Sequence, residues 1–311
     1  MQVQEIGFIN KDGKVETDDG RLFLLPVRGT TENGYSEVLI DAKAVGGGGV
    51  VARQSIEPYI GMKCLFARNT EKYGFNFAII KENIMEKTKH LINREYTMSI
   101  DIDSQKGFTP VCQNELPVEG GDLIVDELNK NAEFAKLRVG SKDLHPANAV
   151  WIATDEMPVF SPVEGHGENV DIHWPAHCLS GTVGAELLDG LPAPEEYNFF
   201  VWKGMEPNLH PYGIFYHDLG NILSTGLIEY LMANIEIDTF IIGGLALDYC
   251  VYESVRQLKM FLDMCEEYDC RIIVNLEATA GVAPDTTAKA IEDLEKMGVI
   301  FINGADELEL I

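Results

Sequence analysis

The stretch Phe240–Val251, FIIGGLALDYCV, decides how the rest of the chain is read. Ile241 and Ile242 are β-branched and follow Phe240, so residues 240–243 predict a buried strand. Gly243 and Gly244 break the apolar run and a turn follows. From Tyr249 onward, Val251, Val255, Leu258, Phe261 and Leu262 recur at helical spacing. Cys250 therefore stands near the first turn of a helix that follows a parallel-type strand. Unpaired N–H groups and the positive end of the helix dipole lower a thiol pKa there. The crevice beyond the carboxyl ends of the strands is also where open α/β sheets bind ligands. A cysteine so placed is either a small core residue or a nucleophile, and other stretches must decide which.

Working outward, residues 95–311 alternate between strand and helix patterns. Tyr96–Asp103, Arg138–Lys142, Tyr197–Trp202, Thr239–Gly243, Arg271–Asn275 and Val299–Ile302 predict strands. Gly121–Ala135, Leu219–Ile235, Tyr249–Glu267 and Thr286–Met297 predict helices. Such alternation means an α/β fold, a mostly parallel sheet flanked by helices on both faces. No GxGxxG or GxxxxGK[ST] follows a strand, so nucleotide phosphate is not an evident ligand.

Residues 1–82 read differently. Val3–Ile9, Arg21–Val27, Glu37–Ile40, Lys63–Arg68 and Phe75–Ile80 are short apolar or alternating runs separated by turn clusters. About five strands in so short a span predict a small all-β, barrel-like accessory domain. Its order of strands and turns resembles a cold-shock-like OB fold, without that family's aromatic RNA-binding motifs. The polar stretch Lys81–Arg94 predicts a helical linker, so the domains expected are 1–82 and 95–311, joined by 83–94.

Charge divides at the same place. The net charge is −26. Residues 1–81 hold ten Lys/Arg and ten Asp/Glu, so the whole excess lies beyond them. An acidic surface repels nucleic acid and anionic membrane, and charge balance in 1–81 argues against nucleic-acid binding through Phe23, Phe66 and Phe75. No apolar run is long enough to span a bilayer. The start, MQVQEIGFIN, lacks a secretory pattern, and the six cysteines contain no CxxC pair. Together these predict a cytoplasmic protein with reduced thiols.

Four further stretches fall at predicted strand ends. SIDIDSQKGF carries Asp101 and Asp103, which strand alternation places on one face. SKDLHPAN carries Asp143 and His145; HWPAHCLSGTVGAEL carries His173 and His177. Aspartate and histidine together suit a divalent transition metal. FVWKGME leaves Lys203 at the end of an apolar strand. Each taken singly is also explained as a solvated strand terminus or a surface lysine.

Taken together, these stretches resemble the nicotinamidase branch of the isochorismatase-like cysteine hydrolases. Asp103, Gln105 and Phe108 fit that family's first-strand pattern, which selects Asp103 over Asp101. KDLHP is similar to its first metal motif, WPAHCLSGTVGAE to its second, WKG to its lysine strand and GLALDYCV to its nucleophile loop. ATAGVAPDTTAKAIEDLEKMGV resembles the family's ending. The resemblance covers residues 95–311. It implies a cysteine amidohydrolase with Asp103, Lys203 and Cys250 as catalytic residues, acting on nicotinamide in NAD salvage. It implies an oxyanion hole at the backbone N–H groups of Ala246 and Cys250, with a cis peptide at Leu245–Ala246. It implies a metal, zinc first and manganese or iron next, held by Asp143, His145 and His177, with His173 a competitor for the last position. It implies substrate contacts from Phe108, Trp174 and Tyr249, and family members often self-associate as homo-oligomers.

Two departures stand out. Many members have a further histidine in an HPANH-like run, where this chain has Ala149, so three protein ligands and water are expected around the metal. The family's Tyr-Ser-Gly-Phe reads Tyr212-Gly213-Ile214-Phe215. Asp248 is a candidate N-cap for the Cys250 helix, and Cys178 a packed thiol. Two rivals remain: a related cysteine amidohydrolase acting on another small amide, and a binding or regulatory protein that uses the N-terminal β domain.

Overall fold

The computed structural model describes residues 89–265 and 270–311 continuously. Before residue 89 it describes the strands given below with residues 31, 32, 56 and 57. The chain divides into two compact units, Met1–Thr88 and Lys89–Ile311.

The first unit contains β1 (Gln2–Ile9), β2 (Lys14–Glu16), β3 (Leu22–Leu24), β4 (Gly29–Thr30), β5 (Ser36–Asp41), β6 (Val51–Ser55), β7 (Lys63–Asn69) and β8 (Phe75–Ile80). They form one sheet in the order β3-β2-β1-β7-β8-β5-β4, with β6 paired to β5. Pairing is antiparallel except between β5 and β8, where Ile40 meets Ala78 in parallel. Strands β2, β4 and β6 were not expected from sequence: two are very short, and β6 carries Arg53 and Gln54, which mask its apolar pattern. The side chains of Phe23, Phe66 and Phe75 lie outside the described residues.

The second unit is built on six parallel strands: β10 (Thr97–Ile102), β11 (Leu137–Asp143), β12 (Phe199–Lys203), β13 (Thr239–Leu245), β14 (Arg271–Ala280) and β15 (Ile300–Ile302). Their order is β12-β11-β10-β13-β14-β15. The chain thus starts in the middle, moves out to one edge, and returns to the other side of β10. The reversal lies between β10 and β13, and a ligand crevice opens at such a point in open α/β sheets.

Every residue of β10 and β13 is buried. Met98, Ile100, Phe240 and Ile242 face one core with Leu227 and Leu231 of α2 (Leu227–Ala233) and Val255 and Leu258 of α3 (Tyr252–Met264). Leu294 of α4 (Pro284–Lys296) joins the same core. Ile241, Ile273 and Ile302 face the opposite core, and α1 (Val125–Glu133) packs against β10, β13 and β14. Burial on two sides is why these strands read as continuous apolar runs rather than alternating ones. Each fully buried Ile or Leu contributes about 1.5–3 kcal/mol.

Three elements of the second unit also depart from the sequence reading. The helix expected over 219–235 begins only at Leu227. Upstream, the buried Asp218 carboxylate accepts the N–H groups of Ile222 (3.0 Å) and Leu223 (2.7 Å), and Gly226 has φ +89°. Those bonds hold residues 218–226 in turns that compete with a helix. Within the polar stretch 81–94, residues 81–88 lie outside the described residues, and His90–Ile92 is a strand, β9, not a helix. It pairs in parallel with β16 (Leu308–Leu310), also unexpected from sequence. No helix among the described residues is long and apolar enough to cross a membrane.

Candidate active site

The stretch that opened the sequence reading ends β13. Gly244 has φ +124°, and a Cβ there would collide with the Ile102 carbonyl of the neighbouring strand, so the site tolerates only glycine. The Leu245–Ala246 peptide is cis. Leu247–Val251 then forms one π-helical turn that runs into α3. Cys250 sits in this turn, buried, at the carboxyl end of the sheet. Asp248 does not cap the turn. Its carboxylate instead accepts the N–H groups of Val282 (2.9 Å) and Ala283 (3.2 Å) and the Thr286 hydroxyl, so it fastens the segment that starts α4.

The two aspartates of the first strand part company. Asp101 is inside β10, paired with Arg138 at 2.6 Å and with the Tyr197 hydroxyl at 3.0 Å. Asp103 lies just past the strand end with φ +43°, so alternation no longer governs its direction. Its Oδ1 accepts the Ser141 hydroxyl at 2.7 Å, and its Oδ2 lies 3.0 Å from Lys203 Nζ.

Lys203, the last residue of β12, is fully buried. Its ammonium reaches Asp103, Asp143 Oδ1 at 2.6 Å, the Pro211 carbonyl at 3.0 Å and Cys250 Sγ at 3.8 Å. Three parallel strand ends thus deliver Asp103, Asp143 and Lys203 to one point, and the turn after a fourth delivers Cys250. Gly204 follows with φ +71°, and a Cβ there would strike the His145 ring. The glycine of WKG is what lets that ring lie against the lysine strand.

Beside this group stands a second one. His145, His177 and His210 are all buried, with nitrogens within 4.8 Å of one another. His145 Nδ1 faces the Gly204 carbonyl at 3.0 Å, and His177 Nδ1 faces the Pro175 carbonyl at 2.7 Å. Each ring donates from Nδ1 and turns Nε2 inward, as metal-ligating histidines do. His145 Nε2 lies 3.5 Å from Asp143 Oδ1, so Asp143 stands between the histidines and Lys203. His145 Nε2 and both nitrogens of His210 are buried without a hydrogen-bond partner. Orphaned imidazole nitrogens and an adjoining carboxylate fit a divalent transition metal. His173 is not in this cluster; its Nδ1 faces the Trp151 carbonyl at 3.2 Å.

Phe108, Trp174, Tyr249, Tyr212, Ala246 and Cys250 line one cleft together with Asp143, His177 and His210. Trp174 packs edge-on against Tyr249 with centroids 4.8 Å apart. Its Nε1 donates to the Tyr212 hydroxyl at 3.1 Å, and that hydroxyl donates to Asp171 Oδ1 at 2.9 Å. Ile214 and Phe215 turn inward, their N–H groups donating to Ser254 Oγ and Gln257 Oε1. The segment that departs from the family's Tyr-Ser-Gly-Phe therefore still sets a tyrosine in the cleft wall.

Burial and neighbouring charge set the protonation states. Burial pushes the Asp103 carboxyl up to about 6, against the opposing pull of Lys203. Burial also raises Asp143, but Lys203 and His145 outweigh it and hold that carboxyl well below its usual range. Burial alone would lower Lys203; the two carboxylates outweigh it and keep the ammonium. Burial pushes the Cys250 thiol well up, with Lys203 opposing. The resting state at neutral pH is therefore thiol, carboxylate and ammonium, not the resting thiolate expected from the helix terminus alone. Burial lowers His177 to about 3 and His210 well below its usual value, so both are neutral. Cys178, fully buried, is held as a thiol by burial.

The sequence reading missed His210. A signal existed: Leu-His-Pro occurs twice, at 144–146 and 209–211, and both histidines enter the cluster.

A six-stranded parallel sheet with flanking helices, its strand ends meeting at this cleft, defines an α/β protein with its candidate site at the carboxyl ends of the strands. No family model matches the chain. A nicotinamidase of Acinetobacter baylyi (strain ATCC 33305 / BD413 / ADP1) is 34% identical over 180 residues, covering 55% of this chain and 81% of that protein. A nicotinamidase of Escherichia coli (strain K12) is 29% identical over 210 residues, covering 66% of this chain and 93% of that one. Among solved structures, an Acinetobacter baumanii nicotinamidase/pyrazinamidase superposes with a TM-score of 0.59 at 26% identity, over 68% of this chain and 98% of that one. The chain belongs to the nicotinamidase family.

Proposed function

We propose that the protein is a cysteine amidohydrolase that converts nicotinamide and water to nicotinate and ammonia. The observation that carries the reading is the buried junction of Asp103, Lys203 and Cys250, with Lys203 Nζ 3.0 Å from the carboxylate and 3.8 Å from the sulfur.

The chemistry follows from that geometry. Asp103, as carboxylate, takes the Cys250 proton as the sulfur attacks the amide carbon. A base near neutrality suits this task, and Asp103 is held at about 6. Lys203 keeps the carboxylate oriented and favours negative charge on sulfur during attack. The backbone N–H groups of Ala246 and Cys250 are assigned to the tetrahedral oxyanion. Protonated Asp103 then gives its proton to the departing nitrogen, the C–N bond breaks, and ammonia leaves with a thioester behind. Asp103 next takes a proton from water, which attacks the thioester; the C–S bond breaks, nicotinate forms, and the thiol is restored. Phe108, Trp174 and Tyr249 are assigned to the pyridine ring.

Asp143, His145 and His177 are assigned to a divalent transition metal, with zinc first. When bound, that metal supplies a Lewis-acid anchor for the ring nitrogen and leaves the amide chemistry to Cys250. The described cysteines are free thiols, which supports a cytoplasmic enzyme. For residues 1–82 we propose a small OB-like accessory domain, joined by 83–94 to the hydrolase domain 95–311; the balanced charge of 1–81 speaks against a nucleic-acid module.

Ammonia release from nicotinamide tests the reading. Wild type supplied with Zn²⁺, Mn²⁺ or Fe²⁺ releases ammonia, and Cys250→Ala, folded, releases none. A wild type that leaves nicotinamide intact under all three metals would overturn it.

A further inference from the structure

We infer that His210 is a direct metal ligand, so that this chain holds its metal with three imidazoles, two from the motifs read in the sequence and a third from the loop after β12. The inference rests on the metal-binding part of the proposed function and adds a residue outside the two stretches read as metal motifs.

Four observations carry it. His210 is 4% exposed, yet both its ring nitrogens lack a hydrogen-bond partner. Its ligand atom lies within 4.8 Å of those of His145 and His177. Its ring is held in place: it packs on Trp151 with centroids 4.5 Å apart and stacks on His145 at 5.5 Å with planes 23° apart. A buried imidazole fixed in one orientation with nothing to bond is suited to a cation rather than to packing.

The fourth observation explains why the histidine comes from this loop. The segment that follows His145 offers no further imidazole: Ala149 is packed in an apolar cluster with Trp151 and Trp174. That segment is tied to the His210 loop, because Val150 N–H donates to the Pro207 carbonyl at 2.8 Å. The nitrogen absent at 149 is thus supplied by a loop hydrogen-bonded to the same place. Asp143 Oδ1 is meanwhile 2.6 Å from Lys203, so a third imidazole lets the carboxylate stay with the lysine.

The test uses the full chain, stripped with chelator and titrated with Zn²⁺ against a chromophoric competitor. Wild type should bind one Zn²⁺ per chain. His210→Phe keeps a ring between the tryptophans and should weaken binding by more than ~100-fold, beyond the ~10- to 100-fold that losing a residue supporting a ligand typically costs. His210→Gln serves if the phenylalanine variant does not fold. In ¹⁵N-labelled wild type, Zn²⁺ should shift three imidazoles, and the His210 signal should be one of them. Binding reduced less than ~100-fold in a folded variant, or an unmoved His210 signal, overturns the inference while leaving a metal at Asp143, His145 and His177. A wild type that binds no Zn²⁺ overturns the metal reading and the inference with it.

Discussion

At Cys250 two effects oppose each other. A helix-terminal position lowers a thiol pKa, and full burial raises it; in this chain burial wins, even with Lys203 beside the sulfur. In the proposed mechanism Asp103 must be ionised when substrate arrives. Its carboxyl titrates at about 6, so the fraction able to accept the thiol proton falls as pH drops through that value. The acid limb of kcat/KM for ammonia release should therefore have its midpoint near 6, and Asp103→Asn should abolish activity over the whole range. Lys203 offers a stability counterpart. Replacing it by alanine leaves Asp103 and Asp143 buried without their cation, which should cost about 3–5 kcal/mol in urea unfolding. The positions of Asp103, Lys203, Cys250, His145 and His177 were legible because each lies at or close behind a strand end, inside a recognisable motif. His210 was missed because its only signal is a repeated Leu-His-Pro, and that tripeptide does not say that the fold brings its two copies together. The protonation state of the sulfur was not legible either, since a sequence gives position on a helix but not depth in a core.

At the scale of elements, glycines and one aspartate hold the site in register. Gly204→Ala forces a Cβ against the His145 ring and puts alanine at φ +71°. It should destabilise the protein by about 1–3 kcal/mol and lower Zn²⁺ content in parallel; a variant with full metal content would show that the ring can move aside. Asp248→Ala should cost about 1–3 kcal/mol in thermal unfolding, since two backbone N–H groups lose a charged acceptor. The parallel strands β10 and β13 were readable because burial on both faces makes them continuous apolar runs. The long helix predicted over 219–235 failed because Asp218 binds backbone amides ahead of it, a contact that residue types alone do not announce. Strands β9 and β16 are too short to show a period, and each exists only through the other.

On the scale of the molecule, the acidic excess beyond residue 81 and the balanced charge before it remain the clearest division in the sequence. The full chain should not retard a labelled single-stranded oligonucleotide on a native gel at low ionic strength. A retarded band that salt abolishes would assign residues 1–82 to nucleic acid and overturn the accessory reading.

The pairing of His90–Ile92 with Leu308–Leu310 has a consequence in time rather than space. Its two halves are separated by nearly the whole of the second unit. At about 5–20 residues per second of synthesis, β9 waits roughly ten to forty-five seconds for its partner. The strands described in the first unit pair with one another, within residues 1–88, and need no such wait. A nascent chain stalled before residue 308 should therefore expose the backbone of residues 89–92 to protease, and release from the stall should protect it.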